Sequence, residues 1–269
     1  MWSRHASEHR PQLVARADRE LALPDPHIWA RIDVHPGVRS GCSWGTETEF
    51  NPLVHARGTV VTMTDELLAR IDRIESTEAI RQLVARYSLA LDMRDIDSLV
   101  GLFPEDIRVS RDASGRKELR AWFDETLRVQ FDGTAHVTGG HVIEFDNPDH
   151  ARGVVYSRNE HETGPEWVIM TMMYWDHYER VDARWYFRRR LPLYWFATDL
   201  NRPPIGDRKM RWPGREPYEG GWHGFWPTYR EFWDRAGDHG GDVPEPAPID
   251  EFLIRMRRGA PEKLNVRVR

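Results

Sequence analysis

Residues 167–199 carry the sequence WVIMTMMYWDHYERVDARWYFRRRLPLYWFATD, in which two long runs of apolar and aromatic residues flank Asp182 and Ala183. Valine, isoleucine, tyrosine, tryptophan and phenylalanine favour β-strands, and a short polar interruption between two such runs favours a turn. The stretch therefore predicts two antiparallel strands, over 167–181 and 184–199.

Two earlier segments repeat this pattern. Residues 135–145 and 151–162 are rich in the same strand-forming residues. Turn-forming sequences separate them from each other and from the later strands, namely Asn-Pro-Asp at 147–149 and Gly-Pro at 164–165. The sequence therefore predicts four consecutive strands joined by short turns.

The segment before these strands has the periodicity of helices. Apolar residues recur at three- and four-residue steps over 64–91, with a second start or a kink expected at 76–78. Shorter helices are predicted over 95–103 and 115–130, with a brief strand at 107–109 between them. Three helices followed by four strands predict an α+β fold, in which the N-terminal helices cover a curved antiparallel sheet.

Irregular extensions flank the domain predicted at 63–200. Residues 1–62 hold five of the twelve histidines but little apolar periodicity. Two explanations stay open for them: a start codon placed too early, or an arm that covers a neighbouring subunit. Residues 201–269 hold nine of the 18 prolines and several tryptophans, so we expect an extension that packs on the sheet, on the pocket mouth or on a partner subunit. Two short helices are predicted within it, around 228–234 and 249–257.

The composition limits the classes of function. The 38 basic residues against 43 acidic ones give a net charge of -5, which excludes a strongly basic nucleic-acid-binding protein. No apolar run approaches the ~20 residues that a membrane span needs, and no secretory signal is visible. Cys42 is the only cysteine, which excludes an internal disulfide and a thiolate metal cluster. We therefore expect a cytoplasmic protein with no nucleic-acid or membrane partner.

The first candidate functional group is Asp92, at the predicted end of the long helix. Tyr87 belongs to the apolar face of that helix, and Asp92 follows five residues later, roughly 140° away around the helix axis. The C-terminus of a helix disfavours negative charge, so a carboxylate there is unusual. It indicates either a functional group or a solvated residue that opens the next turn.

The second candidate is His136, on the first strand. The unperturbed imidazole has a pKa of about 6.5, which suits a general base at neutral pH, although a strand histidine is often only a structural hydrogen-bonding group. His136 and His141 are five residues apart, so a regular strand points them to opposite faces, unless Gly139 and Gly140 form a bulge. No HxH or HExxH spacing occurs, and we expect no metal site.

The third candidate is the run Arg188, Arg189 and Arg190 on the last strand. Alternation places Arg188 and Arg190 on one face and Arg189 on the other. One inward-facing arginine would stabilise negative charge that develops on a substrate, and the rest would belong to a solvated outer face. His161 is a further candidate of the same kind. Glycine-rich phosphate loops, a serine nucleophile elbow and cysteine–histidine pairs are missing.

Three segments together resemble the SnoaL-like branch of the nuclear transport factor 2-like superfamily, which includes scytalone dehydratase and hexachlorocyclohexane dehydrochlorinase. The resemblance covers about residues 64–200. It rests on ESTEAIRQLVARYSLALDMRDIDSLVGLF at 75–103, HVTGGHVIEF at 136–145 and YWDHYERVDARWYFRRR at 174–190. The resemblance implies a cone, in which a bent sheet wraps a pocket that helices close.

The resemblance also implies roles for particular residues. Asp92 and His136 match a catalytic Asp–His pair, and Arg190 matches a pocket arginine. Tyr87 stands where a pocket lysine is expected, so a neutral hydroxyl replaces a cation. His161 corresponds to a second pocket histidine. The remaining expected substrate contacts are Trp122, Met172 and Tyr174.

The resulting functional hypothesis is a cofactor-independent lyase or isomerase. It would act on a small apolar molecule, aromatic, polycyclic or terpenoid, with His136 as general base and Asp92 orienting it. The first alternative is a non-catalytic ligand-binding or dimerising module, and the second is a hydrolase that activates water. We expect a homo-oligomer, either a dimer or a trimer.

Overall fold

The computed structural model describes residues 58–235, 241–242, 245–246 and 248–259, so most of the predicted N-terminal extension lies outside the described residues. None of the described helices has the length and apolar character needed to cross a bilayer. In chain order the helices and strands are α1 (Gly58–Asp92), α2 (Ile96–Val100), α3 (Arg116–Gln130), β1 (Gly133–Asn147), β2 (His150–Thr163), β3 (Glu166–Val181), β4 (Arg184–Asp199), a 3₁₀ helix (Trp222–Phe225), α4 (Pro227–Asp234), a second 3₁₀ helix (Ile249–Glu251) and α5 (Phe252–Met256).

The four strands form one antiparallel sheet in the order β1-β2-β3-β4, as short turns between consecutive strands require. The predicted α+β class with a curved antiparallel sheet is confirmed. The second helix start expected at 76–78 does not occur. Ser76 is buried within the continuous α1, and the Thr77 hydroxyl donates to the Arg73 carbonyl instead of capping a new helix. The brief strand expected at 107–109 is only an isolated bridge between Arg108 and Ser114.

The main core lies between the helices and the concave face of the sheet. The apolar stripes of α1, α2 and α3 face alternate residues of β2, β3 and β4, as the periodicities of helix and strand dictate. Each fully buried aliphatic or aromatic side chain contributes about 1.5–3 kcal/mol to this packing. Its largest fully buried members include Ile80, Leu99, Phe123, Tyr178 and Phe187.

A β-bulge in β1 changes which side chains share a face. Thr138 pairs with Ser157 and His141 with Val155, so β1 advances by three residues while β2 advances by two. The extra residue lies at Gly139-Gly140 and reverses the alternation beyond it. The bulge that the two glycines were expected to allow is therefore formed, and it places His136 and His141 on the same, concave face instead of on the opposite faces of a regular strand.

A second irregularity in β4 separates the three arginines. Tyr178 pairs with Phe187 and His177 with Arg189, which leaves Arg188 as the extra residue. Arg188 is partly exposed and forms an ion pair with Asp106 at 2.6 Å. The simple alternation expected for these residues is therefore wrong. Arg189 and Arg190 are both buried, so they form no solvated outer face.

The C-terminal segment covers the convex face of the sheet. Phe225, Trp226 and Leu253 pack on a second apolar cluster around Trp175. The carboxylate of Glu144, which is almost fully buried, accepts a hydrogen bond from the Leu253 backbone N–H. The convex face is thus a buried interface, and the tryptophans that are unusual for an irregular tail have an apolar surface to cover.

Gly220, just before the 3₁₀ helix at Trp222–Phe225, lies against the edge strand β4. A Cβ atom on Gly220 would stand 1.8 Å from the Trp195 carbonyl oxygen, which only a displaced backbone could relieve. We expect Gly220→Ala to lower the melting temperature by several degrees, since an overpacked site costs about 1–3 kcal/mol. Gly224→Ala is the matched control, because a Cβ atom there meets nothing within 4 Å. Equal melting temperatures for the two variants would show that this contact is not formed.

Candidate active site

A cavity opens between the concave face, α1 and α3. It holds about 920 Å³ of space free of atoms, counted to include its mouth. Its lining is mainly aromatic and aliphatic, with a few polar side chains, as is typical of small-molecule sites. One wall is not part of the sheet or the helices before it: Met210, Trp212, Arg215 and Tyr218 come from the segment after β4.

Asp92 and His136 meet at one end of this cavity. The Nδ1 atom of His136 lies 2.7 Å from Oδ1 of Asp92, and the backbone N–H of His136 donates to Oδ2 at 2.8 Å. The His136 side chain is 6% exposed and that of Asp92 is 15% exposed. The two residues that the sequence pairs are therefore in direct contact and largely shielded from water.

Further donors stabilise the Asp92 carboxylate at the end of α1. The Thr134 hydroxyl donates to Oδ1 at 2.8 Å, and Arg94 in turn donates to that hydroxyl and to the Leu91 carbonyl. Burial alone would raise the pKa of Asp92, but the hydrogen bonds from His136 and Thr134 outweigh it and hold the pKa below its ordinary value. These donors compensate for the unfavourable position of a carboxylate at a helix C-terminus.

The carboxylate determines which nitrogen of His136 can act as a base. Because Asp92 accepts from Nδ1, the proton of the neutral ring lies on Nδ1 and Nε2 carries a free lone pair. His136 lines the cavity, and no hydrogen bond among the described residues engages Nε2. This arrangement suits removal of a proton from a bound molecule, with Asp92 stabilising the imidazolium that forms.

His161 stands beside His136 on the cavity wall. The ring centroids of the two histidines are 6.0 Å apart, and the His161 ring also packs on Phe131 and Trp212. Burial, reinforced by the neighbouring His136, lowers the pKa of His161 to about 3, so His161 is neutral near pH 7. His161 therefore presents a neutral ring to the cavity.

Arg190 lies beneath the cavity instead of on its lining. Its guanidinium stacks on the rings of Tyr174 at 3.9 Å, Tyr87 at 4.2 Å and Phe187 at 4.6 Å. It forms an ion pair with the fully buried Asp176, with Nε 3.4 Å from Oδ1. Tyr87 and Tyr174 therefore line the cavity and separate the charge of Arg190 from it. Burial raises the pKa of both tyrosines, so their hydroxyl groups remain protonated donors.

The other expected contacts, Trp122 and Met172, line the cavity. Sequence reasoning missed Asn159, which lies two residues before His161 on the same face of β2 and is fully buried. The strand period could have identified it. The pocket mouth was one of the places expected for residues 201–269, but sequence reasoning did not identify 210–218 as the residues that line the cavity, for which the local signal is the turn sequence Trp-Pro-Gly-Arg at 212–215.

Metal binding finds no support in the part of the chain that the structure describes. No group of three or more His, Cys, Asp or Glu side chains there is placed to hold a metal ion. His136 and His161 are neighbours, and the carboxylate beside His136 is Asp92, whose oxygens accept the hydrogen bonds described above.

The fold and the cavity together define an α+β protein in which a curved sheet and its helices enclose an Asp–His pair. Comparison with protein families gives the same class: residues 72–191 match the SnoaL-like domain. This match confirms the resemblance predicted from the sequence. No protein with a curated description matches the chain.

Solved structures match about half of this chain. A putative scytalone dehydratase from Novosphingobium aromaticivorans is 27% identical, with a TM-score of 0.44, and the match covers 55% of this chain and 99% of that chain. The hexachlorocyclohexane dehydrochlorinase LinA-type3 from Novosphingobium barchaimii is 19% identical, with a TM-score of 0.45, and the match covers 51% of this chain and 98% of that chain.

Proposed function

We propose that this protein is a cofactor-independent lyase or isomerase that removes a proton from carbon in a small apolar substrate. The observation that carries the proposal is the contact between Asp92 and His136, which leaves Nε2 free beside the cavity. The aromatic and aliphatic lining favours an aromatic, polycyclic or terpenoid body.

The proposed reaction begins when Nε2 of His136 takes a proton from a substrate carbon. The electron pair of the broken C–H bond then has two courses. Either it forms a double bond as a leaving group departs, or it is delocalised to another carbon, which takes up a proton. The first course is elimination and the second is isomerisation. The imidazolium formed in either case is stabilised by the Asp92 carboxylate, and it can return its proton to the leaving group or to the substrate.

The neutral lining groups support this chemistry without competing for the proton. Tyr87 and Tyr174 keep their protons and can donate to a substrate oxygen, with the charge of Arg190 behind their rings. His161 stays neutral and does not repel the imidazolium at His136. A dry cavity of fixed dipoles strengthens every such interaction with charge that develops in the transition state.

The two alternative functions, a hydrolase and a non-catalytic binding module, make different demands on the cavity. Hydrolysis by activated water would be favoured by a second carboxylate near the water, and no Asp or Glu is among the cavity-lining side chains of the described residues. A non-catalytic binding module would use the same apolar lining, but it would not require the hydrogen bonds that orient His136. The buried Asp–His contact therefore favours the lyase or isomerase.

The test is incubation of the full-length protein in D₂O with a panel of aromatic, polycyclic and terpenoid carbon acids, alcohols and halides. Proton NMR and mass spectrometry follow the products. Deuterium at carbon, a shifted double bond or loss of water or hydrogen halide supports the proposal. Products with oxygen from ¹⁸O-labelled water would establish hydrolysis instead, and saturable binding of the panel without any conversion would establish a binding module.

The homo-oligomer expected from the sequence stays a prediction, and so does the absence of nucleic-acid and membrane partners. Several apolar side chains of α1 are exposed in the single chain, including Leu67, Leu68 and Ile74. Contacts with a second or third copy would remove such a surface from water. Light scattering after size-exclusion chromatography should therefore give the mass of a dimer or trimer, and a monomeric mass would contradict the expectation.

A further inference from the structure

The segment after β4 forms a rigid wall of the cavity. Backbone hydrogen bonds pair Met210 with Tyr218 in both directions at 3.0 Å, and Ala197 of β4 bonds to the residues on either side of Met210. Arg211 adds donors to three backbone carbonyl groups, those of Pro203, Ile205 and Arg208. The Met210 side chain is buried in the main core. This wall is therefore held in place before any ligand binds.

A β-turn at the tip of this wall directs Arg215 to the cavity. Trp212-Pro213-Gly214-Arg215 has proline and glycine at the two central positions that a type II turn prefers. Gly214 adopts a φ of 70°, and the backbone N–H of Arg215 donates to the Trp212 carbonyl at 3.2 Å. The turn brings both Trp212 and Arg215 to the lining of the cavity.

Arg215 is the one arginine or lysine among the lining side chains of the described residues. It is half-buried, and no ion pair or side-chain hydrogen bond within the described ranges engages its guanidinium. Burial raises the pKa of the neighbouring Tyr218 hydroxyl, and the charge of Arg215 partly opposes that shift. A cation without a carboxylate partner, fixed at the wall of an apolar cavity, is suited to bind an anion.

We propose that Arg215 binds a carboxylate of the substrate, and that the substrate class is therefore an apolar acid. The apolar body would lie against the aromatic lining, and the carboxylate would lie against the guanidinium at the turn. A single guanidinium matches the single charge of a carboxylate and can bind it through two parallel hydrogen bonds, whereas a phosphate group would leave charge uncompensated.

This inference rests on the proposed function in one respect, because it takes the cavity as the substrate site. It adds a residue that lies outside the SnoaL-like domain match at 72–191. The segment that carries Arg215 would thus determine which substrates the domain accepts. Binding of a carboxylate by Arg215 does not require proton transfer, so the two proposals can fail separately.

The experiment compares 2-naphthoate with its neutral analogue 2-naphthamide. Binding to the full-length protein is measured by calorimetry and by quenching of tryptophan fluorescence, since Trp122 and Trp212 line the cavity. The test variant is Arg215→Gln. The matched control is Arg208→Gln, which removes the same charge from an exposed position of the same segment that does not line the cavity.

Wild type and Arg208→Gln should bind naphthoate about tenfold more tightly than naphthamide, which is typical of a charge-assisted hydrogen bond. Arg215→Gln should bind both probes equally, with the affinity for naphthamide unchanged. Equal affinities in wild type, no saturable binding of naphthoate, or a preference that survives in Arg215→Gln would each overturn the proposal. A different result is a wild-type protein that prefers naphthoate, loses that preference in Arg215→Gln, and yet converts no panel compound. That result would contradict the proposed function alone.

Discussion

Replacement of His136 by glutamine should lower kcat by about 10²–10⁴-fold for any panel compound that the wild-type protein converts. Glutamine keeps a polar side chain of similar length next to Asp92 but has no basic nitrogen. The loss should appear in deuterium exchange at carbon as well as in product formation, because both require the same proton abstraction. Binding of neutral ligands should change little.

The matched control for this variant is His150→Gln. His150 is an exposed histidine at the start of β2, hydrogen-bonded to Asn147 and outside the cavity lining. It should keep wild-type activity, and both variants should have melting temperatures near that of wild type. Turnover by His136→Gln at more than a tenth of the wild-type rate would show that His136 is not the base.

Deletion of residues 201–269 should cause aggregation of the protein or dissociation of its oligomer. The deletion removes the cover from the convex cluster around Trp175, so a contiguous apolar surface would face water. It also removes the cavity wall that contains Trp212 and Arg215. A truncated protein that stays soluble and fully active would contradict this account of the C-terminal segment.

Two point variants test the same packing without a large deletion. Trp226 is 6% exposed and packs on Trp175, whereas Trp233, seven residues later, is 62% exposed. Trp226→Ala should lower the free energy of unfolding by about 3–5 kcal/mol, and Trp233→Ala by no more than about 0.5 kcal/mol. Urea denaturation followed by circular dichroism measures both values. Equal losses would indicate that the tail does not use Trp226 as its anchor.

The fold was predictable from local pattern alone. Long runs of aromatic and β-branched residues, interrupted by Asn-Pro-Asp and Gly-Pro sequences, locate the four strands to within a few residues of where the structure has them. Short turns between consecutive strands leave little choice of topology. The structure also places Asp92 and His136 in contact, as the resemblance to the SnoaL-like family implied.

Departures from strand alternation were harder to predict. The bulge at Gly139-Gly140 places His141 on the concave face, where its Nε2 atom lies 3.0 Å from the Tyr178 hydroxyl. The extra residue at Arg188 likewise separates Arg188 from Arg190. The two adjacent glycines indicated the first bulge, but no local signal marked the second, because the pairing partner on the neighbouring strand determines the register.

The residues that form the second wall of the cavity could not be identified from the sequence for a different reason. One isolated bridge joins Met210 to Ala197 of β4 and a second joins Met210 to Tyr218, while the contact of Trp212 with Phe131 joins residues about eighty positions apart. The tryptophans of this tail led us to expect packing on the sheet, on the pocket mouth or on a partner subunit, but local composition does not indicate which residues make the contact. The turn at 212–215 was visible in the sequence, but its position beside the cavity was not.

The tautomer of His136 tests the central claim most directly, and ¹⁵N chemical shifts of its two ring nitrogens at neutral pH report it. The account predicts a protonated Nδ1 and an unprotonated Nε2 in wild type. In Asp92→Asn the amide oxygen should accept the His136 backbone N–H, so the amide nitrogen faces Nδ1 and the ring proton moves to Nε2. A wild-type ring protonated at Nε2, or shifts that do not change in Asp92→Asn, would contradict the account.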